Sequence, residues 1–205
     1  SKPETKSVTQ YLDQDYREYA VYVVEERAIP SVIDGFKPTQ RKVIFVADRV
    51  WRSGNEKPLK IFQLAGKVAS DAHYHHGDGS LNGAIVGIAQ KFKNSMPVLE
   101  EIGQFGSLRS PEAGAPRYIS TKLHKNFRLL YMDFDLLTPR HEEGNEIEPK
   151  YFFPIIPTVL LNGGSGIAVG FATNILKRNP LDHIDACIKV LDGKKFQEPR
   201  PWYYG

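Results

Sequence analysis

At 205 residues with a net charge of +3, the chain is long enough for one large domain or two small ones, and too weakly basic for charge alone to indicate a nucleic-acid partner. Its one cysteine, Cys187, excludes an internal disulfide and fits a reducing compartment. The longest apolar run, Phe152 to Leu161, is broken by Pro154 and Pro157 and cannot span a bilayer, and no charged-then-apolar leader opens the sequence.

From about Val8 to Arg27 the apolar residues Leu12, Tyr16, Tyr19, Ala20 and Val23 recur at three and four, which predicts a helix ended by Pro30. Asp34-Gly35 reads as a turn. Pro38 sits where a second helix begins, with Val43, Ile44, Ala47 and Val50 inward, up to Gly54. Pro58 opens a third, with Ile61, Leu64, Ala65 and Val68 inward. After a break at Tyr74–Gly79, a fourth helix is predicted from about Ser80 to Phe92. Leu81, Ala84, Ile85, Ile88 and Phe92 line its apolar face, and Asp78 or Ser80 is the N-cap. Two short helices joined by a glycine-containing break form a helix-turn-helix pattern. The Gly-, Pro- and β-branched-rich stretch from Val98 to Leu130 reads as strands and a loop, in the place of a wing.

Residues 140–150 are acidic and polar and read as a connector. An apolar segment follows from Tyr151, then the cluster Asn162-Gly-Gly-Ser-Gly166, an apolar strand, and a helix from Pro180 to Leu191. The fold class is α+β. Three units are expected: a helical arm over 1–35, a winged helix-turn-helix domain over 36–140, and the start of an α/β region over 141–205.

Candidate chemistry is local. Arg117, Lys122, His124, Lys125 and Arg128 fall in a stretch with no acid, either a phosphate-binding patch or a solvated face. His73, His75 and His76, with Asp71 and Asp78, raise a metal site. No cysteine lies near and the spacing matches neither a helical nor a zinc-finger pattern, so no metal is assigned and phosphate at a helix N-terminus suits them better. The outer face of the fourth helix carries Asn82, Gly83, Val86, Gly87 and Gln90. Each interior glycine costs about 1 kcal/mol against alanine, offset by close approach of DNA or of a partner helix.

Five segments in order resemble the breakage-reunion region of type IIA DNA topoisomerases. They are Arg27–Lys42 (RAIPSVIDGFKPTQRK), Tyr74-His-His-Gly-Asp78, Ile102–Ser107 (IGQFGS) with Pro116-Arg-Tyr-Ile119, Pro154-Ile-Ile-Pro157, and Leu161–Ile167 (LNGGSGI). Their wording is closer to the eukaryotic and phage branch than to bacterial gyrase. The resemblance implies that Tyr118 is the nucleophile and that Arg117, Arg27 and His76 act on the scissile phosphate. It also implies DNA contacts by Lys37, Arg41, Lys42, His75, Ser80 and Asn82, and an Ile167 wedged between base pairs, whose alternative is a place in the core. The region after 141 would be the start of the family's tower. Asp133 and Asp135 form a D-x-D without the Gly-rich, Glu-bearing loop that holds Mg2+ in the family. Mg2+ and ATP are therefore expected on an acidic partner subunit or module, with double-stranded DNA as substrate, a homodimer as the assembly, no membrane, and a cytoplasmic or nucleoid-associated location. The main rival reading is a non-enzymatic winged-helix DNA-binding module in which Tyr118 is structural, and a second is a tyrosine-dependent DNA-cleaving relative that does not reseal.

Overall fold

The computed structural model describes residues 7–24, 28–52, 57–74, 77–168 and 170–203. The fold is α+β, with helices carrying the core and, among the described residues, three small antiparallel strand pairs at its margins. The predicted first helix is present as α1 (Val8–Gln10), a π-helical stretch Tyr11–Tyr16 and α2 (Arg17–Val23). Ser7 caps it, accepting from the Gln10 amide at 3.2 Å while the Gln10 side chain accepts from the Ser7 amide. None of its described residues is buried, and Leu12, Tyr16 and Tyr19 are about half exposed. The stripe therefore belongs to an arm and not to the core.

Helix α3 (Pro38–Trp51) starts at the expected proline. Gln40 Oε1 accepts from the Lys37 amide at 2.9 Å and satisfies a donor at the helix entry. Helix α4 (Ile61–Asp71) starts later than Pro58 implied, because Leu59–Lys60 is drawn into strand β1. Helix α5 (Asp78–Ala89) also departs from expectation. Its N-cap is Gly77, so Asp78 and Ser80 lie in its first turn, and the helix closes at Gln90 before reaching Phe92. Val43, Ile44, Ala47, Ile61, Leu64, Val68, Leu81 and Ile85 are sealed in one core where α3, α4 and α5 meet.

The wing is irregular. Strand β1 (Leu59–Lys60) pairs antiparallel with β2 (Ser120–Thr121), and bridges Ile102↔Ser120 and Leu99↔Leu123 add a third edge. Helix α6 (Lys125–Leu130) stands where a loop was expected. His124 caps it, its Nδ1 accepting from the Asn126 amide at 3.0 Å. The connector is a hairpin of β3 (Arg140–Glu142) and β4 (Asn145–Ile147). Helix α7 (Thr158–Asn162) leads into the hairpin β5 (Gly164–Ala168)–β6 (Phe171–Ile175), then α8 (Pro180–Leu191), with Asn179 as its N-cap. The expected boundary at 140/141 does not divide two cores. Phe152 and Leu161 are fully buried in the same cluster as α3, α4 and α5. Among the described residues no helix is long and apolar enough to cross a membrane.

The Asp34-Gly35 turn is the centre of this core. Asp34, with no exposed surface, receives Arg41 Nε at 2.6 Å and Nη2 at 3.0 Å, with the Phe36 and Phe152 amides at 3.0 Å each. Its carbonyl accepts from the Tyr131 hydroxyl at 3.0 Å and the Thr158 hydroxyl at 2.7 Å. Around it Phe36, Tyr131, Phe134, Phe127 and Phe152 form a ring cluster with edge and stacked contacts. Such pairs contribute about 0.5–1.5 kcal/mol each beyond burial. Burial also holds the Tyr131 phenol well above its ordinary range.

Asp34→Ala strands the Arg41 guanidinium in this core. The expected loss is about 3–5 kcal/mol of stability, read as a fall in the urea midpoint. His183 on α8 supplies a pH test. It is buried, its Nε2 has no partner among the described residues, and burial lowers its pKa below the ordinary 6.5. The unfolded chain therefore takes up that proton first. Stability is full above about pH 6.5 and falls as pH drops from there through the lower folded value. In His183→Gln the urea midpoint is expected to vary less between pH 7 and 5.

Candidate nucleic-acid interface

Tyr118 is carried on a turn, Pro116–Tyr118, just before strand β2. The turn is tied to the start of α4. The Ile61 and Phe62 amides, the first donors of that helix, reach Ile119 O at 3.1 Å and Pro116 O at 3.3 Å. These donors have no partner within the helix, so the turn caps α4 and α4 in return positions the turn. Lys60 Nζ donates to Tyr118 O at 2.9 Å, and the Tyr118 amide to Ala115 O at 2.9 Å. The next residue, Ile119, is 3% exposed and anchors the turn in the core. Tyr118 is 73% exposed, so its ring and hydroxyl face solvent while its backbone is held on both sides. Arg117 is exposed beside it. The positive end of α4 and the Lys60 ammonium lie against the same turn, and both favour an anion there.

A separate groove of about 620 Å³ lies between the N-terminus of α3, helix α5 and the hairpin β5–β6. Lys37, Lys93 and Lys177 line it, and among the described residues no carboxylate does. Burial lowers the pKa of Lys37 and of Lys177, because desolvation disfavours the ammonium, and the Lys177 ammonium already donates to Phe92 O at 2.7 Å. Ser80, Gly83 and Gly87 face the groove from α5, and a Cβ placed on either glycine would meet nothing within 4 Å. Among the described residues, therefore, the glycines do not serve packing against another helix. They leave the surface of α5 bare toward the groove. Neither Arg117 nor Tyr118 is among the groove's lining residues.

Other expected site residues fall in different places. Ile167 is 87% exposed near the end of the hairpin, with Phe171 at 62% on the facing strand, so Ile167 is not a core residue. Gly166 explains how the hairpin is seated: a Cβ there would lie 1.8 Å from Ala28 O. Arg41 is corrected as a phosphate contact. It is 5% exposed and consumed by Asp34. Lys42 is corrected likewise, its Nζ donating to Ala72 O at 2.6 Å and to the buried Glu148 at 3.1 Å. Asn82 is half-buried, its Oδ1 sealed without a partner among the described residues, and so is not on the open face of α5. Val86 packs against the core and Gln90 is 1% exposed, so the outer face of α5 is narrower than expected. Arg27, His75 and His76 lie outside the described residues.

The acid-free stretch 117–128 does not act as one basic patch. Arg128 pairs with Asp48 of α3, Lys122 lies 3.8 Å from Glu100, and His124 caps α6. The neutralising acids come from elsewhere in the chain, which a linear scan of charge cannot show. Lys60, Lys93 and Lys177 escape a reading of the sequence, because lone lysines carry no motif.

These features define a winged-helix protein with an anchored, solvent-facing tyrosine and a cation-lined groove. Residues 27–205 match the family model for the A-type chain of DNA gyrase/topoisomerase IV, and the protein belongs to that family. It is 43% identical over 189 residues to the DNA topoisomerase medium subunit of Enterobacteria phage T4, covering 92% of this chain and 42% of that one. It is 41% identical over 208 residues to DNA topoisomerase 2 of Bombyx mori, covering 98% of this chain and 13% of that one. The DNA-binding, cleavage and re-ligation domain of Plasmodium falciparum topoisomerase II superposes with a TM-score of 0.81 at 37% identity, over 92% of this chain and 26% of that one. The chain thus spans less than half the length of these relatives.

The Mg2+ that the family implies does not fit the described residues. No three His, Cys, Asp or Glu side chains gather among them, and the Asp135 carboxylate turns to Arg52 at 3.2 Å and Arg128 at 3.9 Å. Gly166→Ala tests how the hairpin is seated. The added methyl is expected to lift β5–β6 from residues 28–30 and cost about 1–3 kcal/mol of stability, read by thermal melting, while Ser165→Ala, at an exposed neighbour, leaves the melt unchanged.

Proposed function

We propose that this chain is the DNA-gate part of an ATP-dependent type IIA topoisomerase, in which Tyr118 makes and reseals a transient double-strand break. The observation that carries this reading is the exposed Tyr118 ring on a turn whose backbone is held by α4 and by the buried Ile119. The phenol oxygen forms a bond to phosphorus as the bond from phosphorus to the 3′ oxygen breaks. The phenol proton is lost and the leaving 3′ oxygen gains one. The product is a 5′-phosphotyrosyl link. That link keeps the energy of the broken bond, so the 3′ hydroxyl reverses the step without fuel. Arg117 neutralises charge on the phosphate oxygens. Arg27, His75 and His76 complete the phosphate contacts in this reading.

The lysine-lined groove beside α5 seats the duplex, with Lys37 and Ser80 on its wall. Ile167 enters between base pairs and bends the duplex, an exchange of a few kcal/mol of unstacking for a longer wrapped contact. Two chains act together as a homodimer, one tyrosine per strand. That accords with a tyrosine outside the chain's own groove. An acidic partner subunit or module brings Mg2+ and the ATPase, and the likeness to a phage medium subunit supports a multi-subunit enzyme. The segment after 141 opens the tower, and the enzyme works in the cytoplasm or on the nucleoid of its host.

The test mixes the chain with its metal-binding and ATPase partner, Mg2+ and supercoiled plasmid, and traps the products with detergent and protease. Linear DNA bound covalently to the chain is expected. In Tyr118→Phe it should fall to background while DNA binding stays within about twofold, a loss confined to the chemical step. Binding without any covalent DNA in the wild type would leave a DNA-binding module.

A further inference from the structure

The loop from Gly103 to Gly114 leads into the tyrosine turn and meets the end of α5 through one side chain, which closes it. Gln90, the residue that ends α5, is 1% exposed and turns away from the groove. Its Nε2 donates to Phe105 O at 2.7 Å and to Pro111 O at 3.2 Å, so a single amide holds both limbs of the loop. The orientation of that amide follows from chemistry. Turned over, its oxygen would face two carbonyl oxygens. The cost is visible, since Gln90 Oε1 is buried with no partner among the described residues. An apolar side chain of the same size would avoid that cost and lose both bonds.

Beyond the amide, the loop grips the residue next to Tyr118. The Gly114 amide donates to Gln104 O at 2.9 Å and closes the neck. At that neck Gly103 and Gly114 both lie against Ile119 Cγ2, where a Cβ would sit 3.2 Å and 3.1 Å from it. The Ile102 and Ser120 amides exchange bonds at 3.1 Å and 2.9 Å just outside. Asn94 Nδ2 caps α5 by donating to Gly87 O, Ile88 O and Gln90 O, so the helix end that carries Gln90 is itself held firm. A continuous series of contacts runs from Gly83 and Gly87 in the groove, through Gln90 and the loop neck, to Ile119 and Tyr118.

We infer that Gln90 is a positioning residue that ties the groove-facing helix to the tyrosine turn, so that a duplex seated against α5 finds Tyr118 set for attack. The inference rests on Tyr118 being the attacking group. Misplacing a reacting group by about 1 Å can cost on the order of a hundredfold in rate. Loss of the tie should therefore show in the chemical step and not in binding.

The experiment uses the assembled enzyme with its partner and Mg2+, and two substitutions. Gln90→Met keeps the volume and removes the donor, whereas Gln90→Glu keeps the shape and places an acceptor against two acceptors. Both are assayed, so that misfolding of one leaves the other. Each is expected to bind duplex DNA within about twofold of wild type and to form the covalent complex at least about tenfold more slowly in a single turnover. Amide hydrogen exchange within 103–119 should rise by about tenfold or more, while α3 and α4 keep their protection. Covalent-complex formation at the wild-type rate in a folded variant overturns the inference, as does unchanged exchange within 103–119. The exchange measurement does not depend on cleavage. If Tyr118→Phe still formed covalent DNA, the nucleophile would be wrong, while exchange would still judge the tie.

Discussion

A carboxylate with no exposed surface governs how this chain folds. Asp34 accepts from Arg41 twice and from the amides of Phe36 and Phe152, and its carbonyl accepts from Tyr131 and Thr158. Those partners belong to the turn before α3, to α3, the segment after α6, the segment before α7, and α7 itself. A buried charge is tolerated only when its acceptors are filled, so each partner must arrive in register for the others to be stable. The aromatic cluster around it supplies the nonpolar burial that the ion pair by itself does not provide.

That rigid centre leaves α4 and α5 as platforms with different duties. The open amides at the start of α4 are satisfied by the carbonyls of Pro116 and Ile119, which turns a helix end into a mount for Tyr118. Helix α5 presents bare glycine to the groove on one side and buries Leu81, Ile85 and Ile88 on the other. The two duties meet at Gln90 and the loop it closes. Positive charge is divided in the same way. Arg41, Lys42 and Arg128 are spent on internal carboxylates and Lys177 on the Phe92 carbonyl, whereas Lys37 and Lys93 line the groove.

Much of the architecture was legible because it rests on local rules. Period-three-and-four stripes located α3 and α4, prolines marked the starts of α3 and α8, and Asp34-Gly35 was recognisable as a turn. What failed was long-range in sequence. Helix α4 yields its first residues to a strand because the partner, Ser120–Thr121, lies about sixty positions away. Helical spacing puts Gln90 on the outer face of α5, but the helix ends there and the loop carbonyls claim its amide.

By itself the sequence determined the helical segments, the α+β class, the family likeness and the choice of Tyr118 and Ile167 as candidates, because periodicity, turn chemistry and ordered motifs are properties of neighbouring residues. Only the tertiary structure decided which cations remain available to a ligand and which are neutralised. It also decided that Tyr118 sits on a turn capping α4, and that residues beyond 140 share one core with those before. Those outcomes depend on which distant groups meet in space, and the energy of a buried charge or an orphan amide is set by the partner it finds there.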